Sequence, residues 1–126
     1  SHAVVADGRL AVSGQVAVDG DGNRVGDDVA TQARLAFDNV GVVLDAVDLH
    51  FGDVTEVRSH VVDPRENYDA YLAEYRERFD TAPYPAHTAL GARLPDPELL
   101  VEVEVAAPVG EEVSERGDTE GDGSRN

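Results

Sequence analysis

The sequence predicts an α+β fold in which two helices cover one face of a β-sheet, an arrangement that lets each amphipathic element bury its apolar side against another. Three observations predict it. Two short apolar runs flank Asp7-Gly8, a two-residue hairpin signal. Two later segments repeat apolar residues at three- and four-residue spacing. Near the end, residues 99–106 alternate between two faces with the period of a strand.

In chain order, residues 3–6 and 9–13 read as the hairpin strands, and residues 15–18 continue extended after Gly14. Asp19-Gly20-Asp21-Gly22-Asn23 then marks an acidic loop. The first helix is expected from about Asp28, with Asp27 or Asp28 as N-cap and a stripe of Val29, Ala33, Ala36, Val40, Val43, Leu44 and Val47. Its second half is rich in valine and contains Gly41, so packing rather than propensity must hold it. Phe51-Gly52-Asp53 breaks the pattern, and residues 54–62 read as a strand with Val57 and Val61 among Glu56, Arg58 and His60.

The second helix opens on Asp63-Pro64-Arg65-Glu66, read as a capping side chain, a proline at the first helical position and a carboxylate three residues after the cap. Tyr68, Tyr71, Leu72, Tyr75 and Phe79 form its core stripe. Residues 85–90, a turn through 93–97 and residues 99–105 read as a strand, a turn and a strand. In the last strand Leu99, Val101, Val103 and Val105 share one face, with Leu100, Glu102, Glu104 and Ala106 on the other. Acids are depleted in strands, so Glu102 and Glu104 need a wet face, a partner or a task.

The chain of 126 residues is expected to form one domain over 1–109, followed by a disordered tail over 110–126 with six acids and one apolar residue. Cysteine and methionine are absent, which excludes disulfides, thiolate metal sites and a cysteine nucleophile. Twenty-six acids against ten bases give a net charge of −16, and every base is arginine. That balance reads as adaptation to high salt, where the Debye length falls to about 3 Å and self-repulsion is screened. It argues against nucleic acid as a partner, since phosphate binding needs clustered cations. No stretch reaches the length of a membrane span and the first residues lack a signal-peptide pattern, so a soluble cytoplasmic protein is expected.

Asp19, Asp21 and Asn23 mimic the start of a calcium loop, but Arg24 and Ala30 occupy the positions of its glycine and bidentate glutamate, leaving an acidic turn. His2, His50, His60 and His87 show no metal-binding spacing, and neither a metal nor a cofactor is expected. Ser13 lacks the Gly-x-Ser-x-Gly setting of a nucleophile. Arg34 and Asn39 read as a solvated helix face without a role.

Four segments, taken together, resemble the Rid/YjgF family, also called endoribonuclease L-PSP. Ser1-His2-Ala3-Val4 looks like the stretch after that family's Gly-Pro-Tyr, and Val12-Ser13-Gly14-Gln15 is similar to its Ser-Gly-Gln strand. Ala33-Arg34 with Phe37-Asp38-Asn39-Val40 resembles its first-helix motif. Pro85-Ala86-His87-Thr88 followed by Val101-Glu102-Val103-Glu104 resembles its Pro-Ala-Arg-Ser and Val-Glu-Val-Glu ending, with His87 in place of the arginine.

The resemblance implies a chorismate-mutase-like fold, a mixed sheet with two helices on one face, assembled as a homotrimer with clefts between subunits. It also implies hydrolysis of 2-imino acids or enamines to keto acids and ammonia. In the family the arginine grips the substrate carboxylate, while the glutamate and an N-terminal tyrosine help to place water. Here Glu102 matches the glutamate and Ser13 the pocket serine, whereas no residue matches the tyrosine. The candidate site is therefore Glu102 and His87 as catalytic groups, the imidazole beside Glu102 serving as a base or ligand holder. Ser13, His87, Ala89 and Leu72 are expected to line a pocket for a small molecule. The alternatives are a non-catalytic ligand-binding trimer and, less favoured by the charge, an RNA-cleaving protein.

Overall fold

A computed structural model describes residues 2–110, so the predicted acidic tail lies outside the described residues except for Gly110. The elements are β1 (Ala3–Ala6), β2 (Arg9–Gln15), α1 (Val29–Asp45), a 3₁₀ turn (Phe51–Asp53), β3 (Glu56–Val61), α2 (Pro64–Arg78), β4 (Ala86–Gly91) and β5 (Val101–Pro108). One sheet holds all five strands in the order β1-β2-β5-β3-β4. β3 and β4 run parallel, joined by the α2 crossover that parallel strands require, and the other pairs are antiparallel. Although β4 and β5 are consecutive in sequence, β3 lies between them.

The hairpin forms because Asp7 and Gly8 both take positive φ, 55° and 72°, as a two-residue turn matched to strand twist requires. Asp28 caps α1, its carboxylate accepting from the Thr31 amide at 2.8 Å. The whole predicted α1 stripe is buried, together with Phe37 at its centre. At the start of α2 the outcome differs from the expectation. Asp63 sits in the left-handed region at φ 46° and its side chain makes no capping bond, whereas a side-chain cap needs extended backbone. Its carbonyl instead accepts from the Glu66 and Asn67 amides, and the Asn67 side chain donates to the Val62 carbonyl at 2.7 Å.

Both helices pack on one sheet face, where Leu10, Val12, Val57, Val61, Val101, Val103 and Val105 meet Phe37, Val40, Leu44, Tyr71 and Tyr75. The opposite face carries Glu56, Arg58, His60, Glu102 and Glu104, and no described helix covers it. Two residues of α1 tie loops to the core. Buried Gln32 donates to the Gly26 and Glu98 carbonyls and accepts from the Leu100 amide at 2.7 Å. Asn39 donates to the Val16 and Val18 carbonyls at 2.8 and 3.0 Å, so it braces the loop after β2 rather than facing solvent. Arg34 links the helices through Glu74 at 3.1 Å.

Candidate functional site

On the uncovered sheet face the site begins with an irregularity in β2. The β2–β5 register passes from Val12 opposite Val105 to Gln15 opposite Val103, so Ser13 and Gly14 together oppose Glu104. This is a β-bulge, a device that re-aims side chains at the point where a ladder is interrupted. Ser13 donates from its amide and its hydroxyl to the His2 carbonyl, at 2.8 and 3.0 Å. Gly14 leaves room for a neighbour: a Cβ there would stand 2.4 Å from the Glu102 Cδ. The Glu102 carboxyl group thus lies across the bulge.

The β3–β5 register sets His60 opposite Glu102 and Arg58 opposite Glu104. His60 Nδ1 comes within 3.4 Å of a Glu102 oxygen, with the two side chains 19% and 29% exposed. That nitrogen is buried and makes no aligned hydrogen bond. Arg58 stands 3.5 Å from Glu104. One potential metal-ligating atom each from His60, Glu102 and Glu104 lies within 4.8 Å of the others, a grouping that histidine spacing in the sequence does not reveal. Arg58 pairs with Glu104, and His60 stands beside Glu102.

His87 lies on the other face. It stands beside Val57 in the parallel β3–β4 pair and points towards the helices. Its ring stacks on Tyr75 with centroids 4.0 Å apart and planes at 12°, and its Nε2 is 2.9 Å from the Ser59 hydroxyl. Ser59 is fully buried and also hydrogen-bonded to the Tyr71 hydroxyl. Burial lowers the His87 pKa from its ordinary value of 6.5, favouring the neutral ring at neutral pH. Burial also raises the Tyr71 phenol, which stays protonated.

Of the predicted pocket residues, Ala89 stands beside Ser59 and lines an open cleft of about 480 Å³ with Arg65, Tyr68 and Leu90. Leu72 does not line that cleft; it is half-buried and packs against the core, since its position on α2 turns it to the margin of the helix–sheet contact. The expected cleft with His87 beside Glu102 is not formed within one chain. The two residues face opposite sides of the sheet with β3 between their strands, and the imidazole beside Glu102 is His60. His60, Gly14, Ser59 and Tyr71 are the residues that sequence reasoning missed. His60 shares the strand phase of Glu56 and Arg58, which signals its face, but its partner depends on a register formed across 42 residues of chain.

These features define a two-layer α+β protein of the YjgF type, with an acid–imidazole pair on its uncovered sheet face. Residues 1–109 match the family model described as endoribonuclease L-PSP, and the chain belongs to that family, the Rid/YjgF family. It is 37% identical over 91 residues to the RutC family protein YjgH of Escherichia coli K12, covering 72% of this chain and 69% of that one. It is 31% identical over 105 residues to the 2-iminobutanoate/2-iminopropanoate deaminase of the same organism, covering 78% and 77%. The solved structure of protein YJGH superposes with a TM-score of 0.81 at 34% identity, covering 88% of this chain and 84% of that one. No helix among the described residues is long and apolar enough to cross a membrane.

Proposed function

We propose that this protein binds a small 2-imino acid or enamine in clefts between the subunits of a homotrimer and hydrolyses it to a keto compound and ammonia. The observation that carries this reading is the Glu102 carboxyl group, held across Gly14 beside His60 on the uncovered sheet face. Glu102 takes one proton from water as the water oxygen adds to the imine carbon and passes it to the nitrogen. It then takes the hydroxyl proton of the resulting carbinolamine and passes that to nitrogen too, as the C–N bond breaks, the carbonyl forms and ammonia leaves. His60 shares the charge that Glu102 carries through those steps. His87 holds the far end of the ligand. Because His87 and Glu102 lie on opposite faces of one sheet, a cleft that uses both takes one residue from each of two subunits. Hydrolysis needs only water and proton transfer, so the reading calls for no cofactor, and it includes a cytoplasmic location. RNA cleavage is set aside because the net charge of −16 opposes phosphate binding.

Release of keto acid from freshly generated 2-iminopropanoate, followed over a pH range of about 5.5 to 8, tests the proposal. Acceleration that Glu102→Gln abolishes is expected; no acceleration at any pH overturns the hydrolytic reading. His87→Arg is expected to raise the rate on a carboxylate-bearing imine by about tenfold, because a guanidinium fork holds a carboxylate with two donors. A non-catalytic binding trimer is the second reading, favoured by the histidine at that position. It predicts ligand binding that Glu102→Gln leaves unchanged and no keto acid release.

A further inference from the structure

We propose that Tyr71 and Ser59 hold His87 as a neutral imidazole with its proton on Nδ1, so that it offers one hydrogen-bond donor to a single acceptor oxygen of the imine or enamine ligand. This deepens the preceding reading and rests on it for the presence of a ligand at His87. The tautomer itself is a property of the protein without ligand.

Two hydroxyl protons and one ring nitrogen meet in a row. Tyr71 and Ser59 are both fully buried. Among the described residues the Tyr71 hydroxyl has one hydrogen-bond partner, Ser59 Oγ, and Ser59 Oγ has two, Tyr71 and His87 Nε2. Buried hydroxyl protons need acceptors. The phenol proton can go only to Ser59 Oγ, which leaves the serine proton to go to His87 Nε2. A ring nitrogen that accepts carries no proton, so the proton of the neutral ring is on Nδ1.

Both other orientations fail the same count. If Nε2–H donated to Ser59, either the serine proton or the phenol proton would be left in the core without an acceptor. Nδ1 has no partner among the described residues, yet it is not among the buried unpaired atoms, so it reaches solvent. Stacking on Tyr75 sets the ring plane and hence the direction in which that N–H points. Burial disfavours the doubly protonated ring, in keeping with the same arrangement.

The chemistry at this position therefore differs from that of a guanidinium. An arginine presents parallel donors that match both oxygens of a carboxylate, whereas His87 presents one uncharged donor. It is also a donor rather than a base at the nitrogen that reaches the ligand. Ser59 and Tyr71 act as positioning residues, since they reach the ligand only through His87.

The test is a long-range ¹H–¹⁵N NMR spectrum of the full-length protein labelled at histidine, recorded without ligand above the His87 pKa, with His87→Gln identifying the signals. A protonated-type Nδ1 and an unprotonated-type Nε2 are expected, with that tautomer ahead by about tenfold. Ser59→Ala should shift the ring towards Nε2–H. Because Ser59→Ala alone strands the Tyr71 hydroxyl, the double variant Ser59→Ala/Tyr71→Phe repeats the measurement in a core with no stranded donor. An Nε2–H tautomer in the wild type, or an unchanged tautomer in the double variant, overturns the inference. An Nδ1–H signal in a protein that hydrolyses no imine supports it, while counting against the hydrolytic reading alone.

Discussion

The two faces of the sheet treat polar groups in opposite ways. On the helix-covered face a row of buried Tyr71, buried Ser59 and half-buried His87 passes hydrogen bonds from one group to the next, and each has few partners. On the uncovered face Arg9–Glu56 and Arg58–Glu104 pair across strands within reach of water, while the more enclosed His60 beside Glu102 keeps a buried Nδ1 without an aligned hydrogen bond. The contrast shows what desolvation does. In a dry layer an unmatched donor is expensive, so orientation becomes definite; in a wet layer pairs form and break cheaply, so charge stays available. A proton-transferring carboxylate suits the second setting, and a ligand-orienting donor suits the first.

The largest expected effect lies under the covered face. Phe37 is fully buried among Phe51, Tyr71, Tyr75 and Phe79. Phe37→Ala should destabilise the protein by about 3–5 kcal/mol in urea unfolding, the cost of an aromatic removed from a packed core. Gly14→Ala comes next and acts on the other face. The added methyl displaces the Glu102 side chain, whose end is flexible, so stability should change little. Turnover of the imine should fall by about 100-fold, or about 2.7 kcal/mol of transition-state binding. Wild-type turnover in this variant would show that Glu102 does not depend on the bulge.

Acidification should separate the faces further. Burial lowers the His87 pKa in the folded state, so the unfolded chain takes up that proton first. The contribution is fully present above about pH 6.5 and is lost as pH falls through the lowered value. Comparing urea midpoints of wild type and His87→Gln at several pH values isolates it, and identical pH slopes would contradict it. The smallest effect belongs to the surface ladder. Arg58→Ala should cost under about 1 kcal/mol, because the partners are 55% and 36% exposed and water screens them.

Much of this organisation was legible in the residues alone. The Asp7-Gly8 turn, the Asp28 cap, the α1 stripe and the alternation of residues 101–105 are local signals, each written within a few positions. The side-chain cap expected at Asp63 failed because backbone conformation, not residue type, decides whether a carboxylate can reach the helix amides. Asn39 looked like a surface residue because nothing near it in sequence announces the Val16 and Val18 carbonyls.

The α+β class, the family motifs, the strongly acidic charge and the face of the last strand that Glu102 occupies are all written locally in the residues. Which residue stands next to which emerges only from the assembled sheet. Inserting β3 between β4 and β5 separates His87 from Glu102, gives Glu102 to His60 and gives His87 to Ser59 and Tyr71. Strand order and register are set by long-range packing of the whole core, and a period-two pattern names a face without naming the neighbour across it.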